Sequence, residues 1–139
     1  MAYWLLKSEP GDWSWEDQQR ERRTHWDGVR NYQAANNMKA MKQGDLAFFY
    51  HSVRERRIVG IVRIVREYYP DHTDPSGRFG MVDVEAVRPV TKPVTLSDIK
   101  ADGRFADLAL VRQSRLSVVP VSEAHWKLLC QMAETDPEA

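Results

Sequence analysis

The chain has 139 residues, of which 42% are hydrophobic and 29% charged, and its 20 Lys and Arg balance its 20 Asp and Glu. This length fits one domain, and this apolar content excludes wholesale disorder. The neutral total argues against a uniformly basic nucleic-acid binder. However, residues 1–66 hold 12 Lys and Arg against 8 Asp and Glu, and residues 67–139 hold 8 against 12, which permits one basic face or reflects chance segregation.

The first predicted element is a strand over Tyr3–Leu6, which ends before Pro10. Its four apolar residues are too few for a secretory signal, and no basic residue precedes them. No run in the chain approaches the roughly 20 apolar residues of a membrane span. We therefore expect a cytoplasmic protein with no membrane partner.

Two capped helices and a strand are predicted next. Ser14 and Asp17 have the spacing of a capping box, which predicts a short exposed helix. Asn31 is suited to the N-cap of a second helix over residues 32–41. Residues 45–51 alternate two sets of apolar side chains, which predicts a strand with both faces partly covered.

The second half of the chain predicts mainly strands. Residues 58–65 are mostly β-branched, and Gly60 within them indicates a bend or bulge. A loop is predicted over residues 69–80 and a strand with one wet face over residues 81–87. A short last strand at residues 117–119 completes an α+β pattern, a small bent mixed sheet or barrel flanked by helices.

A closing helix is predicted after Ser122, with Trp126, Cys130 and Ala133 on one face. This spacing favours Cys130 as a core residue over a nucleophile. Thr95 or Ser97 could cap a short helical turn before it. As the only cysteine, Cys130 cannot form an internal disulfide, which agrees with a reducing compartment.

Six segments in this order resemble the EVE domain family, and the resemblance extends over about residues 3–132. They are Tyr3–Pro10, Trp26–Asn36, Phe48–Ser52, Tyr69–Asp71, Met81–Val84 and Arg112–Val118. The resemblance implies a single EVE domain over residues 1–139, with a PUA-like α+β fold, a small mixed β-pseudobarrel flanked by helices. PUA-like relatives include YTH readers of methylated adenine.

The resemblance also implies a function. In such folds a pocket accepts a flipped base, and EVE domains are expected to bind modified bases, including methylated or hydroxymethylated cytosine. We therefore expect a nucleic-acid partner, DNA or RNA with a modified base. The residues expected in the base pocket are Lys7, Ser8, Glu9, Trp26, Asn31, Tyr32, Tyr50, His51 and Ser52. Those expected at phosphates are Arg30, Arg112 and Arg115.

Several of these residues also have a purely structural interpretation. Trp26 is a stacking surface or a core anchor, because an indole serves both purposes. Asn31 reads a base edge or only caps its helix. Glu9 accepts from an exocyclic amine or merely ends the first strand. His51 suggests a general base, but a hydrogen-bonded structural histidine is the more common case.

We expect a monomeric, non-catalytic reader with no cofactor and no metal. The alternative is a hydrolase of RNA or modified nucleosides that uses Lys7, Glu9 and His51 as an acid–base set. A protein-interaction module would instead present a large exposed apolar patch. No metal-ligand spacing occurs among the four histidines, His25, His51, His72 and His125.

Overall fold

A computed structural model describes residues 1–138 and contains, within them, six strands and five α-helices. In chain order these are β1 Tyr3–Ser8, α1 Trp15–Glu21, β2 Arg23–Trp26, α2 Tyr32–Ala40, β3 Leu46–His51, β4 Arg57–Pro70, β5 Gly80–Thr95, α3 Leu96–Ala101, α4 Ala109–Arg112, β6 Val118–Val121 and α5 Glu123–Met132. None of the described helices is long and apolar enough to cross a membrane.

The six strands form one mixed sheet in the order β2-β5-β4-β3-β1-β6. Only β1 and β3 run parallel, so their carboxyl ends, Ser8 and His51, lie side by side. Every residue of β3 is buried, with Trp126 of α5 stacked on Phe48 and Trp15 of α1 edge-on against Phe49. The fold is therefore α+β, as the sequence predicts.

Helix caps follow the sequence closely. Ser14 and Asp17 form the capping box of α1, and the Asn31 side chain accepts from Ala34 N at 2.9 Å. Thr95 and Ser122 cap α3 and α5. These predictions are confirmed, because a cap depends on a few neighbouring residues and a local hydrogen bond.

The core and the bulge at Gly60 also agree with the sequence. Cys130 is fully buried, and Trp126 stacks on Phe48 with ring centroids 4.0 Å apart. The β4–β5 register shifts between Ile58 and Gly60, as expected of a bulge.

Strand lengths are where the sequence-based prediction was wrong. The strand predicted over residues 81–87 is the 16-residue β5, Gly80–Thr95, which pairs along β4. The loop shortens accordingly to residues 71–79. β2 and α4, together with a 3₁₀ turn at Gly103–Phe105, had not been predicted. Long-range pairing determines these elements, and local periodicity does not record it.

Candidate functional site

Two cavities lie side by side near the carboxyl ends of β1 and β3, and both have Lys7 and Ser117 in their walls. The first, here called the tryptophan cavity, has a volume of about 580 Å³. Its other lining residues are Ser8, Glu9, Asp12, Trp13, Thr24, His25, Trp26, Asp27, Gly28, Val29 and Arg30. The second, the basic cavity, has a volume of about 570 Å³. Its other lining residues are Tyr50, Ser52, Val53, Arg56, Leu96, Lys100, Leu110, Ser114 and Arg115.

Two indoles border the tryptophan cavity. Trp26 is only 8% exposed and packs edge-on against Phe49 with ring centroids 5.5 Å apart. It is therefore a core residue that also borders a cavity. Trp13 is half-buried, and its Nε1 donates to Gln18 Oε1 at 2.9 Å. No sequence pattern pointed to Trp13 as a site residue, because only the fold brings the turn after β1 beside the end of β2.

Polar groups of the turn after β1 complete this wall. Ser8 Oγ donates to the Trp13 carbonyl at 2.5 Å, so the hydroxyl fixes the turn. The Glu9 carbonyl accepts from the backbone of Asp12 and Trp13 at 2.9 and 3.0 Å. The Glu9 side chain itself is exposed and makes no hydrogen bond within residues 1–138. Its carboxylate is therefore free to accept from a ligand.

The opposite side of the tryptophan cavity is held by Asp71, a buried residue in the loop between β4 and β5. It accepts from Gly28 N at 2.8 Å, from Arg30 at 3.0 Å and from Thr73 N at 2.7 Å. Burial raises the pKa of Asp71, but the bonds from Thr73, Gly28 and Arg30 outweigh it and hold that pKa well below its usual value. Gly28 has a φ of 81°, a conformation that suits glycine.

His25 is a cavity residue that was not expected in the site. Its Nδ1 lies 3.1 Å from Asp83 Oδ1 and 3.0 Å from the Tyr69 hydroxyl, which also donates to Asp83. Burial raises the pKa of Asp83, but bonds from Tyr69, His25 and Arg23 lower it overall. Burial and the bond to Asp83 raise the pKa of Tyr69 to about 12. This network orients the His25 ring at the edge of the cavity.

The basic cavity contains the remaining expected residues of the β1 and β3 ends. Lys7 Nζ donates to the Ser114 carbonyl at 3.0 Å and lies 5.9 Å from the centroid of the Tyr50 ring. Burial lowers the pKa of Lys7. Tyr50 is 2% exposed, and burial raises its pKa to about 12. Ser52, the first residue of the turn after β3, lines the same cavity.

The expected base-pocket residues thus do not converge on one pocket, contrary to the sequence-based expectation. Tyr32 is 63% exposed and lies against Phe79, outside both cavities. Asn31 uses its side-chain oxygen as an N-cap and lines a separate shallow groove with Arg112 and Arg115. Alternation along a strand and position near a motif could not reveal that neighbouring residues face different cavities.

His51 also lies outside both cavities. It is buried, its Nε2 accepts from Trp15 N at 3.0 Å, and its Nδ1 lies 3.0 Å from Glu55 Oε1. Both ring nitrogens are thus used within the fold, with the proton on Nδ1. The bond from His51 helps to lower the pKa of Glu55. This is the structural interpretation of His51 that the sequence had left open.

Arg30 differs from the other two arginines expected at phosphates. Its guanidinium is bonded to Asp71 at 3.0 Å and to Thr73 at 2.9 Å. Arg112 is exposed, with Asp107 at 3.7 Å, and Arg115 is exposed in the wall of the basic cavity. Within residues 1–138, no group of three His, Cys, Asp or Glu side chains is placed to hold a metal ion.

Comparison with known proteins agrees with this architecture. The thymocyte nuclear protein 1 of Homo sapiens is 36% identical over an alignment of 170 residues, gaps included. The alignment covers 98% of this chain and 76% of the relative. A solved structure from Rhodopseudomonas palustris is 51% identical, with a TM-score of 0.91, and the match covers 96% of this chain and 94% of that one. Human THYN1 protein, solved in complex with 5-methylcytosine-containing DNA, is 34% identical, with a TM-score of 0.88 over 99% of this chain and 100% of that one.

A more distant likeness concerns the fold alone. The YTH domain of Zygosaccharomyces rouxii MRB1 is 13% identical, with a TM-score of 0.60 over 95% of this chain and 86% of that one. This agrees with the PUA-like architecture. The sequence profile of the EVE domain matches residues 2–132, nearly the whole chain. The chain therefore belongs to the EVE domain family.

Proposed function

We propose that this protein is a non-catalytic reader of nucleic acid that receives one extruded, modified base in the tryptophan cavity. The observation that carries the proposal is a cavity of about 580 Å³ bordered by two indoles, Trp13 and Trp26. An extruded base loses stacking and pairing worth a few kcal/mol, and aromatic stacking returns roughly 1–3 kcal/mol per base. The complex of the human relative with 5-methylcytosine-containing DNA supports the same kind of ligand.

The charges of the tryptophan cavity suit the edge of a base. Three carboxylates border it, from Glu9, Asp12 and Asp27. Carboxylates accept hydrogen bonds, and the exocyclic amines of cytosine and adenine donate them. Glu9 has a free side chain beside Trp13, so we assign it the contact to the amine. Ser8 positions this turn through its bond to Trp13.

Discrimination of a methyl mark needs close packing against an indole. One buried CH₂ is worth only about 0.8 kcal/mol, or roughly fourfold in affinity. A preference greater than this requires that the unmodified base pack poorly against Trp26. We therefore expect a cytosine methyl or hydroxymethyl group to lie against this ring.

We assign the phosphates of the nucleic acid to Arg112 and Arg115, the two exposed arginines. Arg112 and Arg115 line the same shallow groove with Asn31, beside the basic cavity. Arg30 is committed to Asp71, so we propose that it mainly holds the Trp26–Arg30 segment and contributes long-range attraction to phosphates.

The acid–base set of Lys7, Glu9 and His51 would be needed for hydrolysis. His51 is buried with both ring nitrogens bonded inside the fold, which argues against this role. Lys7 Nζ is bonded to a backbone carbonyl. These contacts support a binding protein without turnover. We propose that residues 1–139 act as one domain in the cytoplasm, which is consistent with the buried free thiol of Cys130.

The proposal is tested by titrating labelled oligonucleotides with one 5-methylcytosine, 5-hydroxymethylcytosine or N6-methyladenine, or none, at fixed salt. Trp13→Ala and Trp26→Leu are each expected to weaken binding of the preferred oligonucleotide by roughly 5- to 150-fold, since stacking is worth about 1–3 kcal/mol per base. Glu9→Gln should weaken binding of oligonucleotides with modified and with unmodified cytosine alike, because both bases carry the amine that Glu9 accepts from.

Tyr32→Ala is the matched aromatic control, because Tyr32 is exposed and outside both cavities. It should leave the affinity unchanged. Thermal melting identifies any variant whose loss comes from unfolding, a concern for the buried Trp26. Equal binding of modified and unmodified oligonucleotides by the wild type, or turnover of any nucleoside that Glu9→Gln abolishes, would overturn the proposal.

A further inference from the structure

The basic cavity has a charge opposite to that of its neighbour. Four cationic side chains line it, from Lys7, Arg56, Lys100 and Arg115, and no carboxylate does. We propose that it is a phosphate-binding subsite, which holds the phosphodiester next to the base in the tryptophan cavity. The proposal rests on the proposed function, adds Arg56 and Lys100 to the residues that contact the nucleic acid, and assigns Tyr50 to a phosphate and not to the base.

The cations of the basic cavity are not neutralised within the fold. Lys100 and Arg115 make no ion pair and no side-chain hydrogen bond within residues 1–138. Arg56 donates its Nε to the Val53 carbonyl at 2.9 Å, which leaves its other donors open. By contrast, Arg30 beside the tryptophan cavity is paired with Asp71. A phosphate would therefore be attracted to the basic cavity, whereas the three carboxylates of the tryptophan cavity would repel it.

Tyr50 offers the basic cavity a hydroxyl donor. It is 2% exposed and lines the cavity, and its hydroxyl makes no hydrogen bond within residues 1–138. The buried side-chain atoms without a partner in that range are Trp15 Nε1 and the Tyr68 hydroxyl, so the Tyr50 hydroxyl reaches the open space of the cavity. A phosphate oxygen is an acceptor that fits this donor. Ser52, Ser114 and Ser117 add hydroxyl groups to the same walls.

The rim of the basic cavity is a turn in an unusual conformation. Val53 has a φ of 71° and Arg56 a φ of 50°, both in the left-handed region that non-glycine residues rarely adopt. Such backbone tends to occur at ligand sites, where the surrounding structure compensates its cost. Here the turn places both Val53 and Arg56 in the wall of the basic cavity.

The wall shared by the two cavities gives the subsite its role. Lys7 and Ser117 border both, so one strand can occupy them together. A base in the tryptophan cavity and its adjoining phosphate in the basic cavity would then meet on either side of Lys7. The base provides selectivity and the phosphate provides sequence-independent affinity.

The experiment uses Lys100→Gln and Arg115→Gln, with Lys92→Gln as the control, since Lys92 is an exposed cation on β5 outside both cavities. Each protein is titrated with three oligonucleotides, which carry a modified base, an unmodified base or an abasic nucleotide at the same position. Lys100→Gln and Arg115→Gln should weaken binding of all three by roughly threefold to tenfold and reduce the salt slope by about 0.7–0.9. The ratio of modified to unmodified affinity should not change.

Tyr50→Phe separates ligand contact from stability. Because the hydroxyl has no partner in the fold, the variant should melt no lower than the wild type, while its oligonucleotide affinity falls by about tenfold. Retained affinity in Tyr50→Phe together with salt slopes of Lys100→Gln and Arg115→Gln equal to that of Lys92→Gln would overturn the subsite. Competition by a nucleoside 5′-monophosphate as effective as the oligonucleotide would instead identify a free nucleotide as the ligand.

The two proposals fail differently. If the wild type shows no preference for any modified base, the proposed function fails, although Lys100→Gln can still weaken every oligonucleotide. If the preference is present and is lost only in Trp13→Ala or Trp26→Leu, while the basic-cavity variants resemble Lys92→Gln, the subsite alone fails.

Discussion

Asp71 is the residue that connects stability, pH and the shape of the tryptophan cavity. Its carboxylate accepts from Gly28, Arg30 and Thr73, and its pKa in the folded protein lies well below the unfolded value of about 3.9. A depressed folded pKa stabilises the protein above the unfolded pKa, and this contribution is lost as pH falls. The wild-type free energy of unfolding should therefore decrease below about pH 4.

Asp71→Asn should lower the free energy of unfolding at neutral pH by about 2–3 kcal/mol, because hydrogen bonds to a charged group are replaced. It should also flatten the dependence on pH below about 4. Urea unfolding at several pH values measures both effects. Asp107→Asn serves as the control, since its side chain is 92% exposed. An acid dependence in Asp71→Asn as steep as in the wild type would contradict the assignment.

At the same scale, the sequence was a better guide to which residues lie near the site than to the cavity that each side chain faces. Trp26 and Glu9 both line the tryptophan cavity, and their contact with a base stays a prediction. His51 and Tyr50 are adjacent, yet one is bonded inside the fold and the other lines the basic cavity. Strand alternation predicts opposite directions for neighbours, but it does not say what each face meets.

At the scale of secondary-structure elements, the bulge of β4 depends on the close approach of Gly60 to Trp15. A Cβ on Gly60 would lie 2.6 Å from the indole ring of Trp15, which is buried in α1. Gly60→Ala should therefore destabilise the protein by about 1–3 kcal/mol through overpacking. Gly103→Ala, where a Cβ would meet nothing within 4 Å, should change stability by less than about 0.5 kcal/mol. Chemical denaturation compares them, and equal values would refute the packing argument.

Helices and strands were easier to predict from the sequence where neighbouring residues determine them than where distant residues do. The caps at Ser14, Asn31 and Ser122 require only a few neighbouring residues, and all three were recognised. β2 was missed because Arg23–Trp26 is short and polar and exists through its pairing with β5. The last part of β5 contains two prolines, which locally argue against a strand, yet it pairs with β4.

For the whole molecule, the division of charge bears on the proposed binding of a polyanion by a neutral chain. The formal net charge is zero, so general attraction to phosphate is weak. Local segregation places unpaired cations in one cavity and carboxylates in the next. A protein with zero net charge, but with cations and carboxylates in separate cavities, favours a ligand that presents a phosphate and a base together. It disfavours non-specific coating of duplex DNA.

The molecule as a whole is also expected to act as a monomer. The large hydrophobic side chains exposed in residues 1–138 are Met1 before β1, Tyr32 in α2 and Val53 in the turn between β3 and β4. Scattered apolar side chains are normal on a monomer, and a stable interface buries roughly 1,200–2,000 Å². The edge strands β2 and β6 have four residues each, and β6 contains Pro120, so edge-to-edge pairing is also discouraged.

Sedimentation should give 16.1 kDa at every protein concentration and a 1:1 complex with a single-site oligonucleotide. A concentration-dependent dimer that Tyr32→Ala or Val53→Gly dissociates would favour the protein-interaction alternative, because only a specific apolar contact responds to those changes.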